Sequence, residues 1–196
     1  MKIVEIYSGL IWSACYEGTK RDVFSLLFTQ WVDLEYLTSF ITKNQRFLKD
    51  NPFFSGYSLK EIIIEARREA VGLRNNFSQY YWNEINGEHP DFDDRFFVLN
   101  RRAGFDDFKR EMYGHPKSNW RMTSVLRLYA IKIPSENNAE PSAYIVTGGG
   151  IKLSNSMASM QELKREYSKM ESVQRWLEIN KITNKQQLID YHTHGN

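Results

Sequence analysis

The sequence predicts an α+β fold in which a central antiparallel β-sheet is flanked by helices. A period-two apolar run covers Val125, Leu126, Leu128, Tyr129, Ala130, Ile131 and Ile133 and stops at Pro134. A second run, Ala143-Tyr144-Ile145-Val146-Thr147, follows only a short polar turn, so the two strands pair antiparallel. On either side of this pair, apolar residues recur at steps of three and four, as in amphipathic helices. A chain of 196 residues and 23.2 kDa with 41% hydrophobic residues can bury one sizeable core without disulfides or metals. No linker, repeat or low-complexity tract divides it. We read residues 1–196 as one domain in three parts: a hairpin over 1–17, a mainly helical insertion over 22–100, and a sheet hairpin with C-terminal helices over 120–196.

Taken in order, the stretch from Ile3 to Tyr16 alternates β-branched or aromatic residues with smaller ones around Ser8-Gly9, which predicts a β-hairpin. From Asp22, the positions Val23, Leu26, Leu27, Trp31, Leu34, Leu37 and Ile41 predict one helix with Asp22 as its N-cap. Asn51-Pro52 breaks it. Ser58 with Glu61 three residues on is a capping box, opening a second helix through Ile62, Ile63, Ala66, Ala70 and Leu73. Phe96 to Leu99 is an apolar run of undecided structure. Past Ser154, Leu163, Tyr167, Met170, Val173, Trp176 and Leu177 mark a helix, and Lys185 to Tyr191 a shorter amphipathic one. Glu162, Lys164, Arg165, Glu166, Lys169 and Glu171 mix charges at helical spacing, the pattern of a solvated face.

Charge and cysteine usage narrow the function. With 26 Lys and Arg against 24 Asp and Glu, the chain carries +2, which excludes the blanket basicity of a nucleic-acid coat protein. Residues 1–100 hold 11 basic and 14 acidic residues, and residues 101–196 hold 15 and 10, so an anionic partner is expected on the second half. One cysteine, Cys15, and four scattered histidines give neither a disulfide nor a zinc-ligand spacing. No window offers the roughly 18 uncharged residues that a spanning helix needs. The expectation is a cytoplasmic, reduced and metal-free protein without a membrane segment. Gly148-Gly149-Gly150 lacks the Gly-Lys-Ser/Thr that would follow in a P-loop, and a bulge or bend is the simpler reading.

The run Leu126-Arg127-Leu128-Tyr129-Ala130-Ile131-Lys132-Ile133, then Tyr144-Ile145-Val146-Thr147-Gly148-Gly149-Gly150-Ile151-Lys152-Leu153-Ser154, resembles the core hairpin of RelE/HigB-like toxins of bacterial toxin–antitoxin systems. The likeness covers about 30 residues. It implies a RelE-like core carrying the helical insertion, and a metal-independent, cofactor-free endoribonuclease that cuts messenger RNA on the ribosome by attack of a ribose 2′-hydroxyl on the adjacent phosphate. A cognate antitoxin protein would neutralise it. In that reading Arg127 matches the family's strand arginine and clamps the phosphate, because a planar guanidinium holds two oxygens at once. Lys152 matches the second basic position, and the Gly148 to Gly150 amides lie open to a phosphate. Trp120 and Arg121 would stack a base and hold the RNA backbone, with Lys132 as a further RNA contact. The alternative is a non-catalytic protein-interaction domain that keeps a toxin-like sheet. Asn155, Ser156 and Met157 offer no acid or base where family nucleases carry Tyr or His, and +2 is low for a ribosome binder. Arg127 would then pack on the core with its head against an acidic helix residue.

Overall fold

The computed structural model describes residues 1–49, 51–87, 91–99, 108–113, 124–137, 140–154 and 161–194. The first hairpin forms as the sequence predicts, β1 (Lys2–Tyr7) against β2 (Ile11–Cys15), turned by Gly9 at φ 66°, a left-handed backbone that glycine adopts without steric cost. The helix expected from Asp22 is two helices, α1 (Val23–Val32) and α2 (Leu34–Lys43). Asp22 caps α1, accepting from the Ser25 N–H at 2.9 Å. Asp33 causes the break: its backbone is extended and its carboxylate accepts from the Glu35 and Tyr36 N–H groups at 2.8 and 3.3 Å, closing one helix and opening the next. After a short α3 (Arg46–Lys49) and a 3-10 turn over Pro52–Phe54, the Ser58–Glu61 capping box starts α4 (Leu59–Asn86), which runs to Gly87 in the left-handed conformation. A short α5 (Asp91–Arg95) leads into the sheet's far edge.

Six strands form one sheet in the order β1-β2-β6-β5-β4-β3, where β3 is Phe96–Val98, β4 Lys109–Tyr113, β5 Leu126–Ile133 and β6 Ala143–Ile151. The expected β5–β6 pair is antiparallel, from Leu126 opposite Ile151 to Ile133 opposite Ala143. The sheet is mixed rather than wholly antiparallel: β2 runs parallel to β6, Ile11 facing Tyr144 and Ser13 facing Val146. A parallel neighbour needs a long crossover, and the helical region after β2 belongs to that connection. The pair slips by one residue at Thr147, since Tyr129 faces Gly148 while Ala130 faces Val146. This is the bulge read from the glycine-rich end of the strand.

Strand alternation assigns two faces. Leu126, Leu128, Ala130, Gly149 and Ile151 look toward α1, where Leu27 and Trp31 lie against the Gly149 backbone. Arg127, Tyr129, Gly148 and Gly150 look toward α6 (Gln161–Ile179), whose Met170 and Val173 are fully buried. The chain ends in α7 (Lys185–His194), anchored by Leu188. Trp12 and Trp31 are core residues, whereas Trp82 is exposed on α4. His192 and His194 are exposed on α7, while His89 and His115 lie outside the described residues. No helix among the described residues is long and apolar enough to cross a membrane.

Candidate functional site

On the α6-side face, three neighbouring strands place ionisable side chains in rows. From β4 come Lys109, Glu111 and Tyr113; β5 supplies Tyr129 and Arg127; and Lys152 follows the end of β6, one alternation past Gly150. Tyr113 stands opposite Arg127, and Glu111 opposite Tyr129. Arg127 on β5 and Lys152 just past β6, singled out from the sequence, thus share one face; burial first and then the guanidinium hold the Lys152 ammonium below its ordinary range.

Arg127 is 6% exposed, and its guanidinium is oriented by acceptors at Nη1 and by an aromatic ring. Nη1 donates to the Ser124 carbonyl at 2.9 Å, the Ser124 hydroxyl at 3.1 Å and the Leu126 carbonyl at 2.7 Å. Its carbon lies 4.1 Å above the Tyr113 ring centroid, a cation–π contact. Nε has no hydrogen-bond partner, the Glu111 carboxylate being 4.0 Å away, and no described residue accepts from Nη2. The main chain holds one side of the fork, and the Nε side, without a hydrogen bond, is ion-paired at 4.0 Å with the Glu111 carboxylate.

The main chain that holds Arg127 is itself held by Glu69 of α4. Buried at 5% exposure, Glu69 accepts from the Val125 N–H at 2.9 Å, from the Leu126 N–H at 3.2 Å and from the Ser124 hydroxyl. Arg127 is packed near an acidic helix residue, as one sequence reading expects, yet that residue acts on it chiefly through the backbone, and the carboxylate nearest Nε is on a strand. Glu111, Tyr113 and Glu69 escape the sequence reading. The alternation Lys109, Glu111, Tyr113 is the one signal that marks β4, and it is short and polar.

The remaining site residues are not brought together. Lys132 is on the opposite face of β5, its ammonium 3.0 Å from Asp93. Trp120 and Arg121 lie outside the described residues. The glycine amides are not open to a phosphate: Gly148 and Gly150 face the β5 ladder, and the Gly149 N–H donates to the Glu166 carboxylate at 3.1 Å. Glu166 is correspondingly no member of a solvated face. Its carboxylate occupies the space where a Gly148 β-carbon would sit, and Lys169 pairs with it at 2.5 Å.

Burial raises the carboxyls of Glu69 and Glu166 above the ordinary range, against the opposing pull of their hydrogen-bond donors and of Arg127 and Lys169. In the unfolded chain both return to about 4.3. Between that value and the raised one, the folded chain binds more protons than the unfolded chain, so stability falls as pH rises through the window. Expected is a urea midpoint that rises as pH is lowered from neutrality toward about 4.3 more steeply in the wild type than in the Glu69→Gln, Glu166→Gln double variant. Equal slopes would contradict the assignment.

Comparison of the chain with known protein families, with curated proteins and with solved structures finds no match.

Proposed function

We propose that the chain is the toxin of a toxin–antitoxin pair, a metal-independent endoribonuclease acting on messenger RNA in the cytoplasm and neutralised by a cognate antitoxin protein. The observation that carries this reading is a buried, oriented guanidinium whose Nε makes no hydrogen bond, set beside a carboxylate, a phenol and an ammonium. Transesterification asks for those groups. Glu111 takes the proton of the 2′-hydroxyl, whose oxygen bonds to phosphorus. Arg127, with Lys152, holds the non-bridging oxygens as negative charge develops. The P–O5′ bond breaks and the departing oxygen is protonated by Lys152, whose ammonium is made more acidic by burial, while the Tyr113 phenol, made a weaker acid by burial and by Glu111, donates to Glu111 at 3.1 Å. The products are a 2′,3′-cyclic phosphate and a 5′-hydroxyl.

One observation favours the non-catalytic interaction reading: with only 6% exposure, Arg127 meets an anion only where RNA enters between its neighbours. Induced expression in a bacterial host separates the two. Growth arrest by the wild type, relieved by Arg127→Ala, Lys152→Ala and the near-isosteric Glu111→Gln with each folded by circular dichroism, supports the nuclease. Soluble, abundant wild-type protein without arrest transfers the sheet to the interaction reading.

A further inference from the structure

A slot of about 480 Å³ opens beside the outer edge of β6, between α1 and α2 on one side and α6 on the other. It exists because β2 accompanies β6 only from Tyr144 to Val146. At the Thr147 bulge the two part, and the Tyr16 hydroxyl, not a strand, donates to the Thr147 carbonyl at 2.8 Å. Beyond that point no strand among the described residues lies on this side of β6.

The main-chain groups along this edge can be followed one by one. The Lys152 N–H donates to the Val125 carbonyl at 2.7 Å, so by alternation Gly148, Gly150 and Lys152 face β5 while Gly149, Ile151 and Leu153 face outward. Side chains close both ends: Glu166 accepts from the Gly149 N–H, and the Asn51 amide donates to the Leu153 carbonyl at 3.0 Å. Between them the Gly149 carbonyl and the Ile151 N–H and carbonyl meet no partner among the described residues. Ile151 is 2% exposed. Buried main-chain groups left unpaired are rare, and an acceptor, a donor and an acceptor in strand spacing are what another strand satisfies.

The walls indicate which strand. Leu26, Leu27, Tyr36 and Phe40 give one side an apolar lining suited to alternate side chains of an extended peptide. Arg21 and Lys169 also line the slot; Lys169 is paired with the one carboxylate of the lining, Glu166, which also accepts from the Gly149 N–H, so Arg21 is the balance of charge there. The net field favours an acidic occupant. We propose that this slot binds an extended peptide segment carrying an Asp or Glu, which adds as a short strand along Gly149–Ile151. The site is separate from the Arg127 face and does not depend on RNA cleavage.

The test is titration of isotopically labelled protein, followed by amide NMR and hydrogen exchange. The probe is a degenerate pool of blocked heptapeptides, a central Glu flanked by Val, Ile, Thr or Ser, beside the same pool with its backbone N-methylated. Expected is a shift of the Ile151 amide with about tenfold added protection, the effect of one new main-chain hydrogen bond. The N-methylated pool should give none. Binding should weaken about two- to fivefold in Arg21→Gln, as for one partly exposed ion pair, without change in fold. No shift at Ile151 with either pool overturns the proposal. So does a response to both pools alike without protection, which would make the slot a pocket for a small apolar ligand.

Discussion

Replacing Glu69 by alanine is expected to destabilise the fold by about 3–5 kcal/mol, the range for removing one member of a buried, hydrogen-bonded charge arrangement. Glu69 is 5% exposed, so solvent does not screen the loss. Its removal strands the Val125 and Leu126 N–H groups and the Ser124 hydroxyl, and takes away the carboxylate that helps to balance Arg127. In a chain of this length the melting temperature should fall by roughly 2–4 °C per kcal/mol. Glu69→Gln keeps one carbonyl acceptor and should cost about 1–3 kcal/mol. Urea unfolding of the two variants checks the order. A loss below about 1 kcal/mol in Glu69→Ala would mean that the start of β5 is fixed by packing alone. Because Ser124 and Leu126 in turn hold Nη1, a folded Glu69→Gln should also lower any activity that depends on Arg127, although Glu69 lies behind the reacting groups.

Gly149→Ala should cost about 1–3 kcal/mol, the usual result of forcing a methyl into a filled site. The new β-carbon would lie 2.7 Å from Leu27 Cδ1, 2.8 Å from the Arg127 carbonyl oxygen and 2.9 Å from Trp31 Cη2. The main-chain atom cannot swing aside as a side chain can. At Gly148 the intruded group is the Glu166 carboxylate, which can rotate only by giving up the Gly149 N–H. Gly72, in the middle of α4 with nothing within 4 Å of its would-be β-carbon, is the internal control. There alanine should stabilise by about 0.5–1 kcal/mol, through helix propensity and a less flexible unfolded chain. If Gly149→Ala were as harmless as Gly72→Ala, the close approach of α1 to β6 would be wrong.

These glycines also show what a sequence displays and what it conceals. The β5–β6 pair, the first hairpin and the Ser58–Glu61 cap are local: period, turn residue and capping residue lie within a few positions of one another and are legible directly. The end of α1 is not, because Leu34, Leu37 and Ile41 continue the three-and-four spacing straight across Asp33, and a capping aspartate in mid-pattern looks like any polar position. β4 is five residues of mostly polar side chains, one face of which carries Lys109, Glu111 and Tyr113, so it lacks the apolar alternation that betrays a strand. For the same reason Arg127 and Lys152 stand out in the sequence as candidates and Glu111 and Tyr113 do not. Glu166 sits in a charge pattern that is identical whether the helix face meets water or a strand, and the one sign of its true setting is Gly148, a missing side chain about twenty positions earlier. The parallel β2–β6 contact joins residues more than a hundred positions apart and leaves no local mark.

The measurement that tests the Arg127 face most directly is incubation of the purified protein with a short RNA and with the same RNA carrying a 2′-deoxy sugar at its cleaved position. Expected are a 2′,3′-cyclic phosphate product in the presence of a chelator, none from the deoxy substrate, and at least about a hundredfold slower cleavage by folded Glu111→Gln, the effect of losing a general base. Cleavage that needs a divalent ion, that ignores the 2′-deoxy substitution, or that is unchanged in Glu111→Gln would contradict this mechanism.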